Sequence, residues 1–403
     1  MTRSRSETVL AGLDEIDWGR YHHAQGPARN VPGLLRSLVS DVYATPEILA
    51  RAERQRLSVL EAVSREFYSR VTHQGQVFGV SAKVVPFLVE LACADSIRQE
   101  ARTFAVRFLR HLVIGESSWN ERLELDRVLE LCVLLERSNL PQSVIDGDAF
   151  EAVPDGVDPQ LLSNIQALWI RDCLVAVESA VPQLLGLVGT PLASDLVALL
   201  STLHRVKSTF VPALWALAGD ARSAIGGQAL FALACLEEEG VPAAARVLSD
   251  AIDGQHPGAI YAAAADLFAS SPGACSAASV RALVRVPASW LESPCPFNTR
   301  LSWFVVSMRA WLPQSTHLEI IEQLATELKA TPAEQRFPLF RQLISLVELN
   351  ADDYVDQRGR AVIRLIAEYA PWDSSRARAS LHELLKEAGL PRERMVLQAL
   401  ART

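Results

Sequence analysis

Residues 181–240 read VPQLLGLVGTPLASDLVALLSTLHRVKSTF and then VPALWALAGDARSAIGGQALFALACLEEEG, so that one unit occurs twice in succession. A Val-Pro pair opens each copy, and the next Val-Pro pair, at Val241, follows after another 30 residues. Self-similarity at a fixed period of this length is typical of repeat proteins, in which each supersecondary unit stacks on the next. The stretch therefore predicts a repeat architecture.

Within the second copy, the apolar residues have the spacing of two short helices. Val211, Leu214 and Leu217 form one apolar stripe, and a second stripe lies within 229–236. Between them, Asp220 is placed to cap the second helix, and Gly240 suits a left-handed helix end. Two such helices cannot bury their apolar faces alone, so neighbouring copies must supply the rest of the core.

Further Val-Pro pairs at Val31 and Val85 extend this pattern towards the N-terminus. The predicted fold is therefore all-α, a right-handed α-α superhelix (a HEAT/ARM-like solenoid) of stacked antiparallel helix pairs. We expect this solenoid over residues 1–275, with an N-terminal cap and an acidic insertion at 139–159. Residues 276–403 fit the repeat poorly and form either a divergent continuation or a separate helical domain.

Capping residues and apolar periodicity predict most of the remaining helices. Ser96–Gln99 and Thr331–Glu334 are capping boxes, Thr45-Pro46 opens a helix, and Gly389 ends one. The predicted helices are 46–71, a helix from 96 to about 113, 118–138, 160–179, 300–312, 319–329, 337–349, 360–369, 380–388 and 392–401.

Composition and charge exclude several classes of protein. Apolar residues make up 49% and charged residues 21% of the chain, which excludes a disordered protein. The six cysteines form no C-x-x-C pair, which predicts reduced thiols and a cytoplasmic protein. The start of the chain lacks the apolar core of a signal peptide, and no apolar run is long enough to span a membrane. We predict no membrane association and a monomer when free.

Three motifs of the N-terminal half resemble a known family. They are W-x-x-x-x-H-A-x-G-x-A from Trp18, H-Q-G at His73, and V-P-F-L-x-E-L from Val85; the run from Leu168 to Val177 fits the same pattern. Over about residues 18–240 the chain resembles bacterial HEAT-repeat proteins, some of which resemble immunity proteins paired with secreted toxins. The resemblance implies a protein-binding scaffold. The stretch 116–166 and the chain after about 275 depart from the pattern.

No catalytic or metal-binding motif is found in the sequence. The phosphate-binding, dinucleotide-binding and H-E-x-x-H signatures do not occur. Gly226-Gly227 falls inside a helical pattern and is interpreted as a close helix contact. His22 and His23 are adjacent, so on a helix they would point in different directions and could not easily share a metal. We therefore predict no enzymatic activity and no cofactor.

The acidic insertion is the first candidate binding site. Residues 116–160 contain eleven acidic residues and three arginines, a net charge of −8 that equals the charge of the whole chain. Carboxylates around an aromatic anchor could attract and hold a basic partner. A calcium loop would need the EF-hand spacing, which is incomplete here, and the alternative is a solvated insertion without a partner. The candidate residues are Asp146, Asp148, Phe150, Glu151, Asp155 and Asp158.

The second candidate is the turn at His73, Gln74 and Gly75. The functional interpretation is that His73 and Gln74 face a partner or bridge to the Trp18 segment. The alternative is that both side chains satisfy backbone groups left open at two helix ends. Trp18 itself is interpreted as part of the N-terminal core.

Three classes of function remain open. The first is a non-enzymatic protein-binding solenoid, in its sharper form a cytoplasmic immunity protein that neutralises a basic toxin domain through its concave face and the acidic insertion; a general scaffold or adaptor belongs to the same class. The second is a nucleic-acid-binding protein similar to HEAT-like DNA-repair glycosylases. It would require a stripe of basic residues, for which the candidates are Arg98, Arg102, Arg107 and Arg110. The third, a lyase with short HEAT-type repeats, lacks a catalytic constellation in the sequence.

Overall fold

A computed structural model describes residues 9–73, 76–114, 125–137, 142–146, 159–219, 223–251, 257–270, 275–284, 286, 290, 293–312, 316–333, 336–346, 357–372 and 375–402. Within these ranges the protein is 75% helical, with 20 α-helices, several short 3₁₀ helices and a few short strands, which confirms the predicted all-α character. No helix in the described ranges combines the length and the apolarity that a membrane span requires.

The chain divides into two compact units, Met1–Leu214 and Trp215–Thr403. The division falls inside the helix Val211–Ala218, which opens the second tandem copy. The whole of the first copy therefore belongs to unit 1, and all of the second copy except its first four residues belongs to unit 2. The domain boundary that the sequence places near residue 275 stays a prediction.

Unit 1 consists of nine described α-helices, six short 3₁₀ helices and two small hairpins. The α-helices are α1 Val31–Val39, α2 Pro46–Gln55, α3 Val59–Val71, α4 Ser81–Cys93, α5 Gln99–Ile114, α6 Leu125–Arg137, α7 Gln142–Ile145, α8 Pro159–Leu184 and α9 Ala193–Leu200. The 3₁₀ helices are Leu13–Glu15, Trp18–Arg20, Ala28–Asn30, Asp41–Tyr43, Leu185–Leu187 and His204–Thr209.

The helices of unit 1 form a layered core. α1 and α2 pack on α3, α4 packs on α5 and α8, and α9 packs on α5. Trp18 is 5% exposed, and its indole N–H donates to the Leu13 carbonyl at 2.7 Å, which confirms that Trp18 belongs to the N-terminal core. The helix predicted over 46–71 is two helices, because Arg56 adopts a left-handed conformation after α2 and Ser58 with Glu61 forms a capping box that starts α3.

The three short hairpins are a correction to a purely helical expectation. β1 His22–His23 pairs with β2 Gly26–Pro27, and β3 Thr72–His73 pairs with β4 Gln76–Val77, both antiparallel. In unit 2, β5 Pro294–Cys295 pairs in the same way with β6 Asn298–Arg300. The first two hairpins stand before α1 and α4, the helices that carry the first two Val-Pro pairs.

The Val-Pro pairs do not all mark a helix start. α1 begins at Val31 as predicted, but Pro86 lies inside α4 and Pro182 lies inside α8, because both helices begin upstream of the pair. At each interior position the missing N–H of proline removes one helical hydrogen bond. The first tandem copy therefore begins in the last turns of a long helix.

Unit 2 has α10 Val211–Ala218 at its start, followed by ten described α-helices. They are α11 Ala224–Cys235, α12 Val241–Ala251, α13 Pro257–Ala269, α14 Ala277–Val284, α15 Leu301–Ala310, α16 His317–Ala330, α17 Phe337–Ser345, α18 Gln357–Tyr369, α19 Ser375–Glu387 and α20 Arg394–Leu400. The helices predicted from residue 300 onward are all found, with ends that differ by a few residues.

The second tandem copy contains the two predicted helices, with a different cap. α11 begins after Ser223, whose hydroxyl accepts a hydrogen bond from the Gly226 N–H at 3.2 Å. Asp220, the predicted cap, lies outside the described residues. A Cβ at Gly227 would stand 2.2 Å from the Gly258 carbonyl oxygen, which confirms that this glycine permits a close contact between α11 and α13.

The helices of unit 2 pack on the next helix but one. α11 packs on α13, α12 on α14, α15 on α17, α16 on α18, and α18 on α20. Neighbouring helices also pack on each other, as α12 does on α13 and α13 on α14. Gly389 has a φ of 67° and ends α19 as predicted, with the Leu390 N–H bonded to the Leu385 carbonyl at 2.8 Å.

Candidate functional site

The candidate site is a group of connecting segments in unit 1, which we call the hairpin edge. It comprises 20–27, 72–73, 76–83 and 142–146. The first hairpin contacts the segments on either side of the second hairpin, since the Ala24 N–H donates to the Arg70 carbonyl at 3.1 Å and the Val80 N–H donates to the His22 carbonyl at 3.3 Å. Connecting segments held by a helical scaffold are common places for binding sites.

The main chain of Asp146 is built into this edge. Its carbonyl oxygen accepts a hydrogen bond from the His22 N–H at 3.2 Å, and a Cβ at Gly79 would stand 2.2 Å from that oxygen. Only a residue without a side chain permits this approach. The Trp169 indole N–H donates to the neighbouring Ile145 carbonyl at 2.6 Å. Residues 142–146 are therefore an integral part of unit 1.

The Asp146 carboxylate is also committed to internal contacts. One oxygen accepts from the Arg20 Nε at 2.5 Å and the other from the Gln142 side-chain amide at 3.1 Å, and the side chain is 8% exposed. The sequence predicts that Asp146 contacts a partner, and this stays a prediction. In the structure the Asp146 carboxylate is paired with Arg20, whose side chain is 55% exposed.

The remaining candidate residues of the acidic insertion follow Asp146 in the sequence. Asp148, Phe150, Glu151, Asp155 and Asp158 lie outside the described residues. The predicted loop over 139–159 is partly helical, because 142–145 form α7. We call residues 147–158 the acidic segment. It follows Asp146 of the hairpin edge and precedes Pro159, the first residue of α8.

His73 is exposed, whereas its neighbour Thr72 is buried and contacts the end of α3. The Thr72 hydroxyl donates to the Tyr68 carbonyl at 3.0 Å and so satisfies the end of α3. The sequence-based alternative gives that task to His73 and Gln74. Thr72 makes this contact at the end of α3, both interpretations of His73 stay predictions, and Gln74 lies outside the described residues.

His23 is a structural histidine with a fixed tautomer. It is 5% exposed, its Nδ1 accepts from the Gln25 N–H at 3.0 Å, and its Nε2 lies 2.9 Å from the Asn30 side-chain oxygen. Because Nδ1 accepts, the proton resides on Nε2 and is donated to Asn30. Burial lowers the pKa of His23, more than the hydrogen bond to Asn30 raises it.

Two cationic residues of the hairpin edge were missed by the sequence analysis. Arg20 reaches a partner 126 residues away in the sequence, and no local pattern encodes that pairing. Lys83 lies over the ring of Tyr21, with its Nζ 5.2 Å from the ring centroid. Both sit on the same edge as His73, so this surface combines exposed cations with the start of an acidic segment.

The arginines considered for nucleic-acid binding do not form a continuous basic stripe. Arg98 pairs with Asp41 at 2.8 Å, Arg102 with Asp95 at 3.1 Å, and Arg107 with Asp195 at 2.8 Å. Carboxylates thus offset three of the four charges. Affinity for a nucleic-acid backbone comes from many basic residues that each neutralise a phosphate, and these four arginines do not supply such a row.

No group of three or more histidine, cysteine, aspartate or glutamate residues in the described ranges is arranged to hold a metal ion. The six cysteines are free thiols. Searches with the chain against protein-family models, curated proteins and solved structures found no match.

Proposed function

We propose that the protein is a non-enzymatic, cytoplasmic protein-binding α-solenoid that engages a basic protein partner. In the sharper form of the proposal, the partner is a bacterial toxin domain and the chain is its immunity protein. The acidic segment and the concave helix face provide the contacts, and the free protein is a monomer.

The helix packing supports the solenoid part of the proposal. In unit 2, contacts between each helix and the next but one repeat from α11 to α20. Antiparallel pairs stacked in this way generate a right-handed superhelix with one concave face. In unit 1, α3, α5 and α9 carry side chains that connect successive pairs, as in the Arg107–Asp195 contact.

The anchoring of Asp146 is the observation that carries the binding part. The Asp146 main chain is bonded to the first hairpin and packed against Gly79, so the acidic segment leaves from a fixed point of a folded unit. A segment whose starting point is fixed loses less conformational entropy on binding than a free tail of the same length. Four carboxylates close to this point would steer a basic partner towards the hairpin edge.

The test begins with a partner identified by co-purification from the source cell or from the neighbouring gene product. Asp148, Glu151, Asp155 and Asp158 are changed together to Asn or Gln, while Asp146 is kept. We expect the association rate to fall at least about tenfold at low salt and less at high salt, since steering by exposed charges is screened by ions.

A matched variant neutralises four exposed acids elsewhere, Glu53, Glu239, Glu319 and Glu322. It removes the same charge from the chain and is expected to change the association rate by less than the first variant. Equal rates for the two variants would attribute the effect to net charge and would overturn the role of the acidic segment.

A further inference from the structure

Arg107 on α5 is held by a buried carboxylate in a way that presents its terminal nitrogens to the solvent. Its Nε donates to the Asp195 carboxylate at 2.8 Å; Asp195 is 7% exposed, whereas the Arg107 side chain is 55% exposed. Within the described residues, the two terminal amino groups of Arg107 have no hydrogen-bond partner. The guanidinium group is thus oriented before any ligand arrives.

Tyr68 on α3 packs against aromatic residues of α5, the helix that carries Arg107, and these residues form an aromatic floor. Its ring centroid is 4.7 Å from that of Phe108 and 5.7 Å from that of Phe104, both in edge-to-face contacts. Arg107 follows Phe104 by three residues and so shares its side of the helix. The Tyr68 hydroxyl has no hydrogen-bond partner in the part of the chain that the structure describes.

Thr72 and His111 fix the far side of this cluster. The Thr72 hydroxyl donates its only proton to the Tyr68 carbonyl, so it accepts from the His111 Nε2 at 3.2 Å. His111 lies 5.0 Å from the Tyr68 ring, centroid to centroid, and four residues beyond Arg107 on the same face of α5. The tyrosine is therefore enclosed on three sides.

We propose that Arg107 and Tyr68 form a binding site for an oxyanion, the carboxylate or phosphate group of a ligand. A guanidinium fork matches the two oxygens of such a group, and a phenol O–H adds a third donor. The aromatic floor excludes water from one side, which strengthens these hydrogen bonds. The site goes beyond the proposed function, because the acidic segment attracts cations and this face takes an anion.

The protonation state of the tyrosine supports a donor role. Burial raises the pKa of Tyr68 to about 12, while the charges of Arg107 and Arg110 act in the opposite direction. The phenol is therefore neutral at physiological pH and retains the proton that it would donate.

The test uses the full chain labelled with ¹³C at its arginine and tyrosine side chains. Inorganic phosphate, acetate and a short peptide with two glutamates are titrated separately at constant ionic strength. We expect saturable shifts of the Arg107 and Tyr68 resonances. Tighter binding of the peptide than of phosphate would identify a carboxylate ligand, and the reverse order a phosphate ligand; both outcomes support the site.

Two variants separate ligand binding from folding. In Arg107→Lys the charge beside Asp195 is kept but the fork is lost, and in Tyr68→Phe only the hydroxyl is removed. Each is expected to weaken binding about tenfold, the effect of one hydrogen bond to a charged group. The control is Arg36→Gln, which removes an arginine of α1 that is paired with Asp14, and it is expected to leave binding unchanged.

Shifts that stay linear with concentration, or that affect all arginines alike, would show general ion association and overturn the site. Unchanged affinity in both Arg107→Lys and Tyr68→Phe would also overturn it. None of these outcomes depends on the acidic segment or its partner, so the site can fail while the proposed function stands.

Discussion

Asp146 links three separate parts of unit 1 through single-atom contacts. Its carbonyl oxygen meets the first hairpin and Gly79, and its carboxylate meets Arg20 and Gln142. A residue held both by its main chain and by its side chain transmits any local displacement to all of its neighbours. The glycine that faces it is therefore as important to this junction as the charged groups.

Gly79→Ala is expected to destabilise unit 1. The new Cβ would stand 2.2 Å from the Asp146 carbonyl oxygen, which is main chain and cannot rotate away. Overpacking of this kind costs about 1–3 kcal/mol in the free energy of unfolding, which urea titration measures. Gly33→Ala on α1 is the control, because a Cβ there meets nothing within 4 Å. Equal free energies of unfolding for the two variants would contradict the close contact.

Asp266 is expected to make the stability of unit 2 depend on pH. Burial alone would raise its pKa, but hydrogen bonds from the Ser276 amide and the side chains of Ser279, Arg246 and Ser270 outweigh it and hold the pKa below its ordinary value. The ionised form is thus favoured in the folded state. Its contribution is present above the unfolded pKa of about 3.9 and is lost as the pH falls through the folded value.

The measurement compares the wild type with Asp266→Asn by urea unfolding between pH 7 and pH 3. We expect the variant to be less stable by about 1–3 kcal/mol near neutral pH, the cost of weakened buried hydrogen bonds, and the difference to shrink below about pH 4. Asp95→Asn, at a side chain 91% exposed, is expected to show little difference at any pH. A difference in unfolding free energy between the wild type and Asp266→Asn that stays constant with pH would contradict the lowered pKa of Asp266.

At the scale of elements, α14 ends against a buried arginine. Arg309 is 1% exposed, and its guanidinium donates to the Leu283 carbonyl at 2.8 Å, to the Val284 carbonyl at 2.7 Å and to the Gln342 side chain. The last carbonyls of a helix have no partner within the helix. Arg309 therefore supplies the C-terminal cap of α14 and connects it to α15 and α17.

Arg309→Met is expected to loosen this end of α14. It leaves two buried carbonyls without donors, each costing about 1–3 kcal/mol. Hydrogen exchange should accelerate in α14 and α17 before it does so elsewhere in unit 2. The control is Arg336→Met, since Arg336 also donates to two main-chain carbonyls but is only partly buried. Similar losses in the two variants would contradict a special role for the buried cap.

Helices with local signals were predictable from the sequence. The last third of the chain illustrates this: the Gly389 stop and the amphipathic stripes fix α15–α20 to within a few residues, because caps and periodicity act over one or two turns. Val181-Pro182 shows the limit. Proline is tolerated inside α8, and the apolar pattern before it continues the helix, so the pair does not mark a boundary.

The candidate site was predictable only in part, because its contacts join distant parts of the chain. The charge pattern indicated the acidic segment, and a glycine-containing break indicated the turn at His73. The pairing of Arg20 with Asp146 and that of Arg107 with Asp195 span 126 and 88 residues. Only the stacking of whole helices brings such residues together, and no spacing in the sequence encodes them.

At the scale of the whole molecule, the two compact units each have a core of their own. Unit 1 buries the aromatic cluster around Phe67 and Phe108, and unit 2 buries the cluster of Phe231, Phe297 and Phe304. Their boundary lies within α10, in the middle of the tandem copies. The 30-residue repeat of the sequence therefore continues across the boundary between the two units, so the repeat does not predict where one compact unit ends and the next begins.

The units are expected to respond separately to local damage. Compact units with their own cores open as cooperative subdomains, so a destabilising change should raise hydrogen exchange mainly in the unit that contains it. In the full chain, Gly79→Ala should accelerate exchange across Met1–Leu214, and Arg309→Met across Trp215–Thr403. Mass spectrometry of peptides from both units would measure this, with the wild type and Gly33→Ala as references. Equal acceleration of both units by either variant would show that the chain unfolds as a single cooperative body.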